Sequence, residues 1–135
     1  MRKMSSFEQK IYKILKQENF SFVQEQQFKD CYNGLYRFDF YLPKQNVVIE
    51  VNGLQHYEYT KSFYNSISDF RKAQERDRRK IAYCLARKIK IYIIPFWEID
   101  HIFSYKDIEN EKFFVKTKFH NDEVWSAHQK NKDNK

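Results

Sequence analysis

Apolar positions along the chain fall into segments of distinct period, and the period assigns most of them. Ile11, Ile14 and Leu15 recur at helical spacing behind Ser5-Ser6-Phe7-Glu8. A hydroxyl followed three residues later by glutamate is a capping-box signature, so residues 5–17 are expected to form an amphipathic helix. Residues 20–28 alternate loosely through Phe20, Phe22 and Phe28 among Gln and Glu, which predicts a strand. Asn33-Gly34 is a hairpin signal, and the aromatic-rich alternation from Leu35 to Leu42 predicts the strand that follows it. Pro43 to Asn46 makes the next turn. Val47-Val48-Ile49-Glu50-Val51 is β-branched and nearly continuous, as in a strand buried on both faces, and Asn52-Gly53 ends it.

Residues 57–68 are polar and aromatic without period and read as a loop that could begin as a helix. From Asp69 to about Lys88 the pattern is helical, with Phe70, Ala73, Ile81, Cys84 and Leu85 on one face. Ile89 to Ile94 is a strand stopped by Pro95, Phe96 to Phe103 is apolar enough to pack on the core, and a short helix is expected around Ile99–Phe114. Residues 126–135 are polar and are expected to be a disordered tail, leaving one domain over 1–125. The order is helix, three strands, helix, strand. Short turns make the first three strands an antiparallel meander. The long helix permits a crossover to the fourth, right-handed if those strands are parallel. The fold class is α/β with a mixed four-stranded sheet.

The length of 135 residues suits a single domain. Apolar residues make up 41% and aromatics 19%, enough for a core, and only two Gly and two Pro occur, so regular elements joined by short turns are expected. The formal net charge of +7 favours a polyanionic partner, nucleic acid first; mere solubility is the plainer account. Cys31 and Cys84 match no zinc spacing and no redox pair, so two buried thiols in a reducing compartment are expected. No stretch has the length of a membrane span and residues 1–20 show no signal peptide, which points to a cytoplasmic chain. Richness in Lys, Asn, Ile, Phe and Tyr suits an AT-rich genome, such as that of a phage or low-GC bacterium.

Several polar residues stand where apolar ones are expected. Asp39 lies inside an aromatic strand; a solvent-facing position or an ion pair with Arg37 would explain it without chemistry. Glu50 is the stronger anomaly, because a lone carboxylate in the most buried strand costs several kcal/mol unless paired or bound to metal. Carboxylates on adjacent antiparallel strands can converge on one divalent cation, and hard oxygen ligands suit Mg²⁺. Asn52 shares a face with Glu50, although an Asn before Gly is also an ordinary turn residue. His56 could act as general acid or base, and a structural role is the plainer account. Asp77 interrupts the apolar face of the second helix, where an ion pair with Arg78 or Lys80 is the alternative. Glu8 is already accounted for by the capping box, unless the first helix packs against the site. Arg71, Lys72, Arg76, Arg78, Arg79 and Lys80 make the second helix strongly basic, which suits phosphate binding or a solvated face.

Phe38-Asp39-Phe40 followed by Ile49-Glu50-Val51-Asn52-Gly53-Leu54-Gln55-His56-Tyr57 resembles the PD-(D/E)XK nuclease motif. The likeness is closest to the branch of very-short-patch-repair endonucleases and the homing endonucleases with a Glu, Asp, X, His, Asp signature. Arg76-Asp77-Arg78-Arg79-Lys80 and Ile89-Lys90-Ile91-Tyr92-Ile93-Ile94-Pro95 extend it, so that it spans about residues 5–103. The resemblance implies a restriction-endonuclease-like αβββαβ core and hydrolysis of DNA, double-stranded in the main, with Mg²⁺ or substituting Mn²⁺. It implies that Asp39 and Glu50 hold the metal, that His56 is a base or transition-state contact, that Glu8 and Asp77 complete the signature, and that Lys80 and its arginine neighbours touch phosphates. Two departures stand out. Asn52 occupies the motif's lysine position, so orienting water falls to His56 or a lysine of the second helix. No separate DNA-reading module is present. Double-strand cleavage would suit a homodimer. Two other readings are a catalytically inactive nucleic-acid-binding protein and a host-protein-binding module, the latter favoured if Phe113, Phe114, Phe119 and Trp125 form an exposed apolar patch.

Overall fold

Ser5 caps the first helix, α1 (Ser6–Gln17), as the capping box predicts. Its hydroxyl accepts the Glu8 backbone N–H at 3.1 Å, and the Glu8 carboxylate accepts the Ser5 N–H at 3.4 Å. In the computed structural model, which describes residues 3–133, four strands follow: β1 (Val23–Gln26), β2 (Phe38–Leu42), β3 (Val47–Asn52) and β4 (Lys90–Pro95). Helix α2 (Ile67–Ala86) links β3 to β4. The sheet runs β1-β2-β3-β4, antiparallel between the first three strands and parallel between β3 and β4, where Glu50 pairs with Ile93 and Asn52 with Pro95. The chain is therefore α/β with a mixed four-stranded sheet.

The period of two in β3 and β4 divides the core between the sheet's faces. Val47, Ile49, Val51, Tyr92 and Ile94 pack with Ile11, Ile14 and Leu15 of α1 and with Ile99, Ile102, Tyr105 and Ile108 of the later turns. Val48, Ile91 and Ile93 pack on the opposite face with Ile81 and Cys84 of α2 and with Cys31, Tyr36 and Phe38. Both cysteines are buried thiols. Every residue of β3 is buried, as its unbroken apolar pattern anticipates. No helix among the described residues is long and apolar enough to cross a membrane.

Three sequence expectations give way. Asn33-Gly34 does not close a tight hairpin. It forms a 3₁₀ turn (Tyr32–Gly34) inside a longer connection, with φ of 57° and 74°. The dipeptide still takes the left-handed conformations it favours. The chain around it is drawn onto α2, where Phe28 packs against Phe38 and Tyr83 and Asp30 accepts from Tyr83 and Arg87 at 2.6 and 2.7 Å. The strand expected from Leu35 accordingly begins at Phe38, and Leu35 itself is exposed. The third change is the tail. After the short helix α3 (Tyr105–Ile108), a longer helix α4 (His120–Asp133) runs through residues expected to be disordered. Residues 134–135 lie outside the described part.

Helix α4 has no fully buried residue and is held by aromatic faces and an ion pair. Trp125 stacks on Tyr57 at 5.4 Å, His128 stacks on Trp97 at 4.0 Å, and Asp122 pairs with Arg78 at 3.1 Å. Asp122 and Glu123 in its first turn and Lys130 and Lys132 in its last suit the helix dipole. A helix this short is marginal in isolation. Trp125→Ala is expected to leave amide exchange protection of β3 and β4 unchanged while α4 exchanges at least tenfold faster, read by hydrogen exchange with mass spectrometry. Equal loss of protection across the sheet would show instead that α4 belongs to the core.

Candidate active site

The antiparallel ladder between β2 and β3 pairs Leu42 with Val47, Tyr41 with Val48 and Phe40 with Ile49, and there it stops. The next rung would set Asp39 opposite Glu50. Side chains replace the backbone there: the Asp39 N–H donates to Glu50 Oε2 at 2.8 Å, and the Val51 N–H donates to Asp39 Oδ2 at 2.8 Å. The inward alternation of β2 breaks at the same place. Phe40 and Leu42 belong to the α1-side core, and Phe38 belongs to the α2-side core. The parted strands thus bring two carboxylates together beneath a cleft of about 760 Å³ whose lining includes Glu8, Asp39, His56, Arg76 and Lys80.

Charge at this point is tightly arranged. Glu50 is on the α2 face of β3 and forms an ion pair with Lys80; the two side chains are only 9% and 13% exposed. Burial pushes the Asp39 carboxyl well above its ordinary value, and the neighbouring charge of Glu50 pushes it the same way. Lys80 and the Val51 N–H oppose that rise, and Glu8 adds to it. For Lys80, burial alone would lower the ammonium's pKa, but Glu50, Asp39 and Asp77 outweigh burial and hold it above the ordinary lysine value. Its ammonium also lies 4.9 Å from the Phe38 ring centre.

His56 follows β3 in a 3₁₀ turn (Leu54–His56), and its Nδ1 meets Asp77 Oδ2 at 2.9 Å. Asp77 thus pairs with neither Arg78 nor Lys80, and its break in the helical apolar face is explained by His56. With Nδ1 engaged, Nε2 is the ring nitrogen left for the cleft. Asn52 is buried, but its amide donates to Asn121 of α4 at 3.2 Å and its side chain does not line the cleft. The Lys80 ammonium instead reaches Glu50 from α2.

The basic face of α2 divides by role. Arg71 and Lys72 are exposed, and Arg76 lines the cleft. Arg78 pairs with Asp122 and Glu75, and Arg79 pairs with Glu75 and donates to the Tyr36 hydroxyl at 3.4 Å. Lys80, expected to touch phosphates, is turned inward onto Glu50. Two further charged residues line the cleft, Glu25 and Arg37. Glu25 has a φ of 50° within β1, a conformation that costs a non-glycine residue about 1–2 kcal/mol. Backbone inversion at a glutamate leaves no mark in a sequence, whereas Arg37 carried one, its place two residues before Asp39.

Mg²⁺ commonly takes one or two carboxylates and completes its shell with water and substrate phosphate. Among the described residues no group of three or more His, Cys, Asp or Glu side chains is arranged to hold an ion unaided. Of the two carboxylates, Asp39 lines the cleft, while Glu50 lies behind it with its oxygens on Lys80 and the Asp39 N–H.

Glu50→Ala would strand the buried Lys80 ammonium and is expected to destabilise the fold by about 3–5 kcal/mol in chemical denaturation. Asp39→Asn removes a carboxyl whose ionisation burial and Glu50 make costly, so in metal-free buffer near neutral pH it is expected to raise Tm by a few degrees. Burial and Glu50 raise the folded-state value of Asp39 above its value in the unfolded chain. Metal-free wild type therefore loses stability as pH rises from the ordinary aspartate value toward the raised one, and Asp39→Asn flattens that fall. A lower Tm for Asp39→Asn, with the fall unchanged, would contradict the assigned charge balance. No family model, curated protein or solved structure matches the chain.

Proposed function

We propose that this protein is a metal-dependent endonuclease of the PD-(D/E)XK kind, hydrolysing DNA phosphodiester bonds with an activated water. The observation that carries this reading is the parting of β2 and β3 at Asp39 and Glu50, with a buried lysine on the second carboxylate. Supporting it are the helix, three-strand, helix, strand order and the meeting of Glu8, Asp39, His56 and Lys80 around one cleft. These are the elements and residues that the motif resemblance nominates for a restriction-endonuclease-like core.

Asp39 and Glu50 are the residues that would hold Mg²⁺, or Mn²⁺ in its place, and the ion would supply Lewis-acid polarisation of the phosphate and lower the pKa of water. The chain's own groups do the rest. Lys80 balances the carboxylates and places a cation where negative charge develops on the phosphate, which answers the missing lysine at Asn52. Asp77 fixes the imidazole of His56, leaving Nε2 to accept a proton from water or to pass one to the leaving oxygen. Arg76, Arg71 and Lys72 offer cations to the flanking phosphates of a DNA partner.

A binding protein without chemistry is the reading that Asn52 favours, and the buried lysine beside Glu50 weighs against it. A host-binding surface built of C-terminal aromatics is not favoured either: Phe113 is buried, Trp125 stacks on Tyr57, and of the four named aromatics Phe119 is the exposed one.

Wild-type protein is expected to nick or linearise supercoiled plasmid with Mg²⁺ or Mn²⁺. Asp39→Ala, Glu50→Gln and Lys80→Ala should each lower the rate at least 100-fold. Glu50→Gln is the informative change at its position because it keeps the shape that supports Lys80. Absence of cleavage by wild type with either metal, on single- and double-stranded DNA, would remove the nuclease reading. Neutralising Arg71, Lys72 and Arg76 together should weaken binding and lower the slope of log K against log salt by roughly 0.9 for each phosphate that is no longer neutralised. An unchanged slope would take this helix face out of the interface.

A further inference from the structure

Two small polar cavities lie where α4 meets α2, each with a volume of about 10 Å³. That is room for about one water, which needs about two to four polar partners to be held. The first cavity meets Glu50, Asn52, Asp77, Lys80 and Asn121. The second meets His56, Asp77, Arg78, Asn121 and Asp122. Asp77 and Asn121 line both, so this pair of side chains joins the two positions.

The groups around the cavities have hydrogen bonds to give. Asp77 meets His56 through Oδ2, and its side chain is only 13% exposed. A carboxylate so far out of solvent needs donors at its other oxygen as well. Lys80 pairs with Glu50, and an ammonium has three N–H donors. Asn121 stands in the first turn of α4, where an asparagine is ordinary. Its Oδ1 nevertheless accepts the buried Asn52 amide at 3.2 Å, from a strand 69 positions earlier in the chain. That bond seats the turn against the site and leaves the Asn121 NH₂ as the donor for the cavities. Helix α4 buries no residue fully, so an asparagine aimed inward adds little to the core.

We propose that Asn121 is a positioning residue for the catalytic centre: it holds two waters that brace Asp77 toward Lys80 on one side and toward Arg78 on the other. His56 and Lys80 are thereby kept in place while the phosphate reacts. The inference rests on the nuclease reading and extends it to α4, which then serves turnover more than folding.

The test joins a high-resolution crystal structure to cleavage kinetics for wild type, Asn121→Leu and Asn121→Ser. Wild type is expected to show one ordered water within hydrogen-bond reach of Asp77, Lys80 and Asn121, and a second beside Asp77, Arg78 and Asn121. Asn121→Leu keeps the bulk and loses the hydrogen bonds, so both waters should go. On supercoiled plasmid with Mg²⁺ its kcat should fall about tenfold, the usual scale for a residue that supports a reacting one, while KM changes less than about twofold. Asn121→Ser keeps a donor and an acceptor and should recover most of the rate. A dry cavity in wild type, or an unchanged kcat in Asn121→Leu, would overturn the proposal while wild-type cleavage kept the nuclease reading. So would a loss of rate that follows the amide-exchange protection of α4 in both variants, since that is what a mere anchor for the helix would give. Wild type that cleaves no DNA would overturn both.

Discussion

The antiparallel ladder of β2 and β3 ends one rung before Asp39 would face Glu50, and the cleft depends on that parting. A continued ladder would use the backbone N–H groups of Asp39 and Val51 for carbonyls. Their donation to carboxylates instead binds two acidic side chains into the sheet itself. Buried backbone donors must find acceptors, so the same two bonds that end the ladder also fix both carboxylates. This explains how a strand with no exposed residue tolerates a glutamate: its oxygens are occupied by a backbone N–H and by Lys80.

Lys80 is the second dependency. It stands one helical step from Asp77 on α2, so a single helix presents the cation that balances Glu50 and the carboxylate that holds His56. The resulting cluster is balanced without being relaxed. Burial and Glu50 raise the Asp39 carboxyl, and Glu50, Asp39 and Asp77 hold the Lys80 ammonium above its ordinary value. A divalent cation entering such a site would displace a proton from Asp39, so metal binding and proton release are linked.

Much of this was legible in the sequence, and the reasons differ by element. The capping box placed α1, the β-branched run placed β3, and helical spacing placed α2, because each pattern reports a local or face-by-face burial rule. Asp39, Glu50, His56 and Asp77 stood out as polar residues where those rules demand apolar ones. What stayed hidden was set by tertiary contacts. Asn33-Gly34 kept its turn conformation but lost its hairpin to the pull of Phe28 and Asp30 on α2. The C-terminal helix reads as a polar tail because it buries no residue fully and relies on stacking against Tyr57 and Trp97. Glu25 was invisible because only a backbone angle distinguishes it. Lys80 read as one of six basic residues on a helix, and its inward turn follows from Glu50, thirty positions earlier.

A metal site at Asp39 and Glu50 is best tested by isothermal titration calorimetry of the purified chain with Mn²⁺, run in two buffers of different ionisation enthalpy. Wild type is expected to show saturable binding accompanied by proton release, with both lost in Asp39→Asn. No binding by the wild type, or binding with the same proton release in Asp39→Asn, would contradict that site.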